Sequence, residues 1–264
     1  MTATPSTAAG KNVDPVYLES QVKDMYRKVA LDPSGDFHFE MGRKMAERLG
    51  YAPQDLDRIP AEAIESFAGV GHYFHLAKLV PGETVLDLGS GSGMDTFVAA
   101  IKVGPEGRVI GVDMTDEQRT KAERLRDKAG FKNVTYLKGY IESLSGKDAS
   151  IDVVISNGVI NLSPDKAQVF REVARVLKSG GRLALSDIVT DVRLPESVSC
   201  NADLWAACIG GALQVDDYRA AIEAAGLKVM NVETNDAYRF LSDNAQGATK
   251  KWGVKSISLL AVKR

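Results

Sequence analysis

The sequence has 264 residues, with 33 basic and 35 acidic side chains, a formal charge of −2 and two cysteines. That balance provides no basic field, so nucleic acid is excluded as the main partner. No apolar run approaches the ~18 residues that a membrane span needs, so no membrane partner is expected. Two cysteines exclude a disulfide framework and suit a reducing cytoplasm.

Residues 1–11 are small and polar and lack the basic-then-apolar order of a secretory leader; they are expected to be a disordered cytoplasmic tail. Residues 12–80 read as an N-terminal helical lid. Asp14-Pro15 has the form of an N-cap followed by proline at the first helical position. Val16, Tyr17, Val22, Met25, Tyr26 and Val29 then recur at roughly helical spacing. Gly50 suits a helix end, Pro53 opens another short turn, and residues 67–79 read as helical with interruptions at Gly69 and Gly71.

From Thr84 the pattern becomes strand, glycine, helix, strand, and residues 81–264 are expected to form one domain. Segments 84–88, 108–112, 134–137, 151–156 and 182–187 are short and apolar. Helical stretches at 95–103, 115–128, 164–177 and 215–225 separate most of them. Two further strands are expected near 228–233 and 255–262, joined by a polar loop at 243–251. The alternation predicts an α/β, Rossmann-like fold: a seven-stranded, mostly parallel sheet with helices on both faces.

The most informative segment is Val85-Leu-Asp-Leu-Gly-Ser-Gly-Ser-Gly93, a buried strand feeding a glycine turn and a helix. Glycine lets the backbone take positive φ and approach a ligand closely. The spacing is G-x-G-x-G, and Met94 stands where a dinucleotide turn has its third glycine. Asp87 would oppose a pyrophosphate and suit an ammonium group. Asp113 closes the second strand, where a carboxylate can accept from ribose hydroxyls. Ile141 and Glu142 follow the third strand, at the place for an adenine, and Asn157 ends the fourth at the carboxyl edge.

This set resembles the class I S-adenosylmethionine (SAM) methyltransferases over about residues 80–263. The resemblance implies SAM as cofactor, with Asp87, Gly89, Ser90, Gly91 and Gly93 around the methionine portion. It implies Asp113 near the ribose, Met114 in the cofactor site, Ile141 and Glu142 beside adenine, and Asn157 at the same edge. A narrower resemblance, to the arsenite methyltransferases, rests on Leu49-Gly-Tyr-Ala-Pro-Gln-Asp-Leu, Val109-Ile-Gly-Val-Asp-Met-Thr, Ile155-Ser-Asn-Gly-Val-Ile-Asn-Leu-Ser-Pro-Asp-Lys166 and Cys208-Ile-Gly-Gly-Ala-Leu213. That family implies three thiolates around arsenic(III), soft ligands for a soft centre. Here Val70 and Gly158 stand at two of the three positions, and Cys208 alone remains. Cys200 lies eight residues earlier, roughly 12 Å away along a straight helix.

The expected acceptor is therefore a small organic molecule with an O, S, N or C nucleophile, in a pocket formed by Val70, Gly158, Trp205 and Cys208. Arsenite methylation with a reduced thiol set is the alternative, and a non-catalytic SAM-binding protein is a reading of another class. Tyr26, Phe67, Tyr73, Phe74 and Trp205 are expected to cover that pocket. His72, His75 and Cys208 are the candidate catalytic side chains. The two histidines, three apart, would share a helix face. No metal site is expected, because no nearby cysteine or carboxylate completes the pair.

Overall fold

The computed structural model describes residues 14–37, 39–195, 198, 209–241 and 243–264, without the side chains of 243–245. The expected N-terminal tail and Cys200, Trp205 and Cys208 lie outside the described residues.

Asp14 caps α1 (Pro15–Leu31), its carboxylate accepting from the Val16 amide at 2.9 Å. This satisfies a helix-end donor that has no intrahelical partner. Leu18, Val22 and Val29 form the buried stripe of α1. Four short helices follow: α2 (Arg43–Leu49), α3 (Pro53–Leu56), α4 (Ala61–Glu65) and α5 (Phe74–Ala77).

The rest of the chain alternates: β1 (Thr84–Leu88), α6 (Met94–Val103), β2 (Arg108–Asp113), α7 (Asp116–Ala129), β3 (Val134–Lys138) and β4 (Ile151–Asn157). It continues with α8 (Lys166–Val176), β5 (Leu177–Val189), α9 (Val215–Ala224), β6 (Leu227–Thr234), α10 (Asp243–Trp252) and β7 (Lys255–Lys263). The seven strands lie in the order β3-β2-β1-β4-β5-β7-β6. Pairs among the first five are parallel, and β7 runs antiparallel between β5 and β6. The expected mostly parallel sheet is present, and the strand order reverses between β1 and β4. Such a reversal opens a crevice at the strands' carboxyl ends.

Alternation along β1 divides its side chains between two cores. Val85 joins Phe97, Val98 and Leu125 under α6 and α7, together with Tyr51, Phe67 and Tyr73 from the N-terminal segment. Leu86 and Leu88 join Phe170, Val173, Tyr218 and Ile222 under α8 and α9. Asp87 shares the first face. A third core packs Leu18 and Val22 of α1 on Val70, Leu162 and Ile188.

Two local expectations fail. Residues 243–251 form helix α10 rather than a loop, because Ala248 and Trp252, four apart, turn an apolar edge into the third core. Residues 67–79 are not one helix, since only α5 is helical. The Gly69-Val70-Gly71 backbone takes its hydrogen bonds from the sheet instead. The amides of Val70 and Gly71 donate to Asn157 Oδ1 at 2.8 and 3.3 Å. The carbonyls of Val70 and His72 accept from Ser256 at 2.6 Å and Ser258 at 2.9 Å. A side chain at Gly71 would collide with Ser186 and Asn235.

Candidate active site

A cavity of about 420 Å³ opens at the reversal point, between the carboxyl ends of β1, β2 and β4 and the inner face of α1. Every residue expected around the cofactor lines it: Asp87, Gly89, Ser90, Gly91, Gly93, Asp113, Met114, Ile141, Glu142 and Asn157. The turn after β1 carries positive φ at all three glycines, +67° at Gly89, +53° at Gly91 and +98° at Gly93. A Cβ at Gly89 would strike Val159 and one at Gly93 would strike Tyr136. At Gly91 it would meet only Gln118, 3.8 Å away, and would fill cavity space.

Asp113 binds the turn as well as facing the cavity. Its Oδ2 accepts from the Gly91 amide at 2.9 Å and its Oδ1 from the Thr115 amide at 2.8 Å. Each oxygen keeps a lone pair for a ribose hydroxyl. The same contact occupies an amide that a pyrophosphate would need. Among the described lining residues there are five carboxylates, Glu19, Asp87, Asp95, Asp113 and Glu142, and no lysine, arginine or histidine. Such a cavity repels a dinucleotide and attracts a cation. SAM, with an ammonium and a sulfonium, fits this donor set and the glycine cradle.

Asp87, 2 % exposed, accepts from Thr96 Oγ1 at 2.6 Å. Burial, and then the neighbouring Asp95 charge, push its pKa up to about 8. Asp95 was not expected from the sequence; it reads there as an ordinary acidic residue in a helix first turn. Its carboxylate accepts from Tyr51 Oη and Tyr73 Oη at 2.6 Å each and from Asn157 Nδ2 at 3.0 Å. Burial raises its pKa, and these three donors oppose the rise. The ring ties α6, β4 and the N-terminal segment together.

The third-strand loop also meets α1. Tyr140 Oη donates to Glu19 at 2.8 Å, and Lys23 bonds Glu19 at 2.5 Å and Tyr140 at 3.1 Å. Behind α7, Gln118 Nε2 donates to the Tyr26 carbonyl at 2.9 Å. Glu142 accepts from Ser163 Oγ and so is more than a free surface charge.

Several expected acceptor residues sit elsewhere. His72 and His75 do not line the cavity. His72 precedes α5, and its Nδ1 lies 3.4 Å from that of His75, whose Nε2 bonds Glu233 at 2.7 Å. Burial, then the His75 and Lys102 charges, lower the pKa of His72 to about 4. No cluster of three or more metal-ligating side chains occurs among the described residues. Val70 and Gly158 face each other outside the cavity: a Cβ on Gly158 would lie 3.2 Å from Val70 Cγ1. Of the aromatics, Tyr26 and Phe67 line the cavity, whereas Tyr73 and Phe74 are buried in the first core.

A family described as a methyltransferase domain matches residues 79–226. The chain belongs to the class I SAM-dependent methyltransferases. This methyltransferase is 42 % identical to the arsenite methyltransferase of Halobacterium salinarum over 84 % of its own length and 57 % of that protein. It is 48 % identical to the arsenite methyltransferase of Aquipseudomonas alcaligenes over 76 % of its length and 59 % of the relative. It thus spans less than three fifths of these curated relatives. The crystal structure of an arsenic(III) S-adenosylmethionine methyltransferase from Chlamydomonas reinhardtii superimposes with a TM-score of 0.62, at 33 % identity, covering 84 % of this chain and 74 % of that one. No described helix is long and apolar enough to cross a membrane.

Proposed function

We propose that this methyltransferase acts on a small neutral acceptor, and that trivalent arsenic, as arsenous acid or a neutral thiol adduct, is that acceptor. The observation that carries the proposal is the acidic lining of the cavity: Asp87, Asp95, Asp113 and Glu142, of which Asp87 holds a proton until a cation binds, with Glu19 paired to Lys23 and no basic side chain among the described lining residues. Arsenous acid is uncharged at physiological pH and enters such a cavity without the penalty an anion meets. The arsenite methyltransferases similar to this chain support the same acceptor.

SAM supplies an electrophilic methyl group on a positively charged sulfur. The work of the chain is alignment and exclusion of water. In this proposal Asp87 and the Gly89–Gly93 turn, with Ser90, hold the methionine end. Asp113 holds the ribose, Met114 lines the same site, and Ile141 and Glu142 flank adenine. Asn157 holds the 69–71 loop beside the acceptor, and the N-terminal segment expected at 12–80 acts as the lid. Cys208 is the family thiol position that remains, and it lies outside the described residues.

A neutral organic acceptor is the second reading, favoured by one observation. The two other family thiol positions, Val70 and Gly158, are closed against each other by hydrocarbon. Methyl transfer from labelled SAM separates the two. Arsenite with excess thiol goes in one reaction, and phenols, thiols and amines go in others. Methylated arsenic that disappears in Cys208→Ser supports the first reading. A methylated organic product with no arsenic product replaces it with the second. No product with any acceptor, despite SAM binding, would leave a non-catalytic SAM-binding protein.

A further inference from the structure

The turn after β4, residues 160–163, is held by two buried groups of opposite charge. Asp187, near the end of β5, is 1 % exposed and accepts from the Asn161 amide and from Tyr218 Oη of α9, each at 2.9 Å. Lys166, 5 % exposed at the start of α8, donates from Nζ to the Ser163 carbonyl at 2.8 Å. Its charge favours the Asp187 carboxylate. Burying such groups is costly, and neither lines the cofactor cavity. What they fix is Ser163, which does line it. A hydroxyl has one proton to give. The Asp165 amide donates to Ser163 Oγ at 3.1 Å, and the Ser163 proton goes to Oε1 of Glu142. The other Glu142 carboxyl oxygen has no partner among the described residues, so it is left for a donor from the ligand. Helix α8 holds the backbone of the same loop through Gln168, Glu172 and Arg175, which share one helix face. Gln168 Nε2 donates to the Glu142 carbonyl at 3.1 Å, Glu172 accepts from the Leu144 amide at 2.8 Å, and Arg175 donates to the Leu144 carbonyl at 2.8 Å.

We propose that Ser163 is a positioning residue for the cofactor: its hydroxyl holds the Glu142 carboxyl group in place, so that the turn after β4 sets the wall on which adenine rests. The proposal rests on the reading of Glu142 beside adenine and is independent of the acceptor. Helix α8 fixes the loop's backbone but leaves the long Glu142 side chain its rotamers. The bond from Ser163 removes that freedom before the ligand arrives, and side-chain ordering completed in advance is a cost that binding no longer meets. Lys166 and Asp187 act one step further back. They hold the carbonyl and the amide of the turn, and so fix where the Ser163 hydroxyl stands.

The test is a double-mutant cycle on SAM binding, read by calorimetry with no acceptor present. Ser163→Ala is expected to weaken SAM about tenfold, the size of one hydrogen bond to a carboxylate. Adenosine should weaken by the same factor, and Ser163→Thr, which keeps the hydroxyl, should restore binding. In a Glu142→Ala background, Ser163→Ala is expected to change SAM binding by less than about twofold, because the partner through which it acts is gone. Losses that multiply across the two sites would make Ser163 a scaffold residue and overturn the proposal. A Ser163→Ala protein that binds SAM like the wild type overturns it too. Both results leave Glu142 beside adenine so long as Glu142→Ala alone weakens SAM and adenosine. If Glu142→Ala binds both like the wild type, the reading of Glu142 itself fails, and the proposal fails with it.

Discussion

Asp87 should make cofactor binding release a proton. Its pKa in the empty protein is about 8, against an ordinary 3.8, because burial and Asp95 both disfavour its charge. At pH 7 about 0.9 of the molecules then carry the proton. An ammonium brought by SAM favours the carboxylate and expels it. Calorimetric titration with SAM in two buffers of different ionisation enthalpy should count about 0.9 proton released at pH 7 and about 0.1 at pH 9. The same group shapes the stability of the empty protein. The folded state holds a proton that the unfolded state gives up near pH 4, so stability falls as pH rises from about 4 to about 8. Over that whole span the loss is on the order of 5 kcal/mol. It is recovered when SAM supplies a counter-charge, so thermal protection by SAM should be larger at pH 8.5 than at pH 6. Asp87→Asn should remove the proton release and flatten the pH dependence of the unfolding temperature. Proton release that is absent at pH 7 in the wild type, or unchanged in the variant, would refute the assignment.

Three other outcomes follow from local geometry. Gly89→Ala places a side chain against Val159 at φ +67° and should cost about 1–3 kcal/mol of stability and abolish SAM-induced thermal protection. Lys166→Met removes the buried cation whose charge favours the Asp187 carboxylate and should lower stability, read as a smaller urea midpoint with unchanged slope. Gly158→Cys brings a Cβ to 3.2 Å from Val70 at φ +70°, a strain of about 1–2 kcal/mol. Adding Val70→Cys should relieve the crowding. If the missing thiolates limit arsenic chemistry, the double variant should methylate arsenite faster than the wild type.

The cofactor half of the site was legible in the chain because it is built from contiguous segments. A strand that feeds a glycine turn, and an acidic residue closing the next strand, are local patterns whose geometry follows from backbone sterics and strand pairing. Hence Asp87, the three glycines, Asp113, Ile141 and Glu142, expected from their positions and from the family resemblance, all line one cavity. The sheet and its helices were legible for the same reason. Their buried faces repeat with period two or 3.6, and only α10 and the 67–79 segment were misjudged. Both are decided by distant partners. Ala248 and Trp252 join the third core, and the Gly69-Val70-Gly71 backbone gains donors and acceptors from β4 and β7.

The tertiary structure alone joined Tyr51, Tyr73, Asp95 and Asn157 into one ring, although up to 106 residues separate its hydrogen-bonded members. It likewise moved His72 and His75 off the cavity and set Val70 against Gly158. Glycine spacing and strand-end charges are constraints along the chain, and the sequence carries them. Which carboxylate has a cation beside it depends on how separate elements pack, and no local pattern records that.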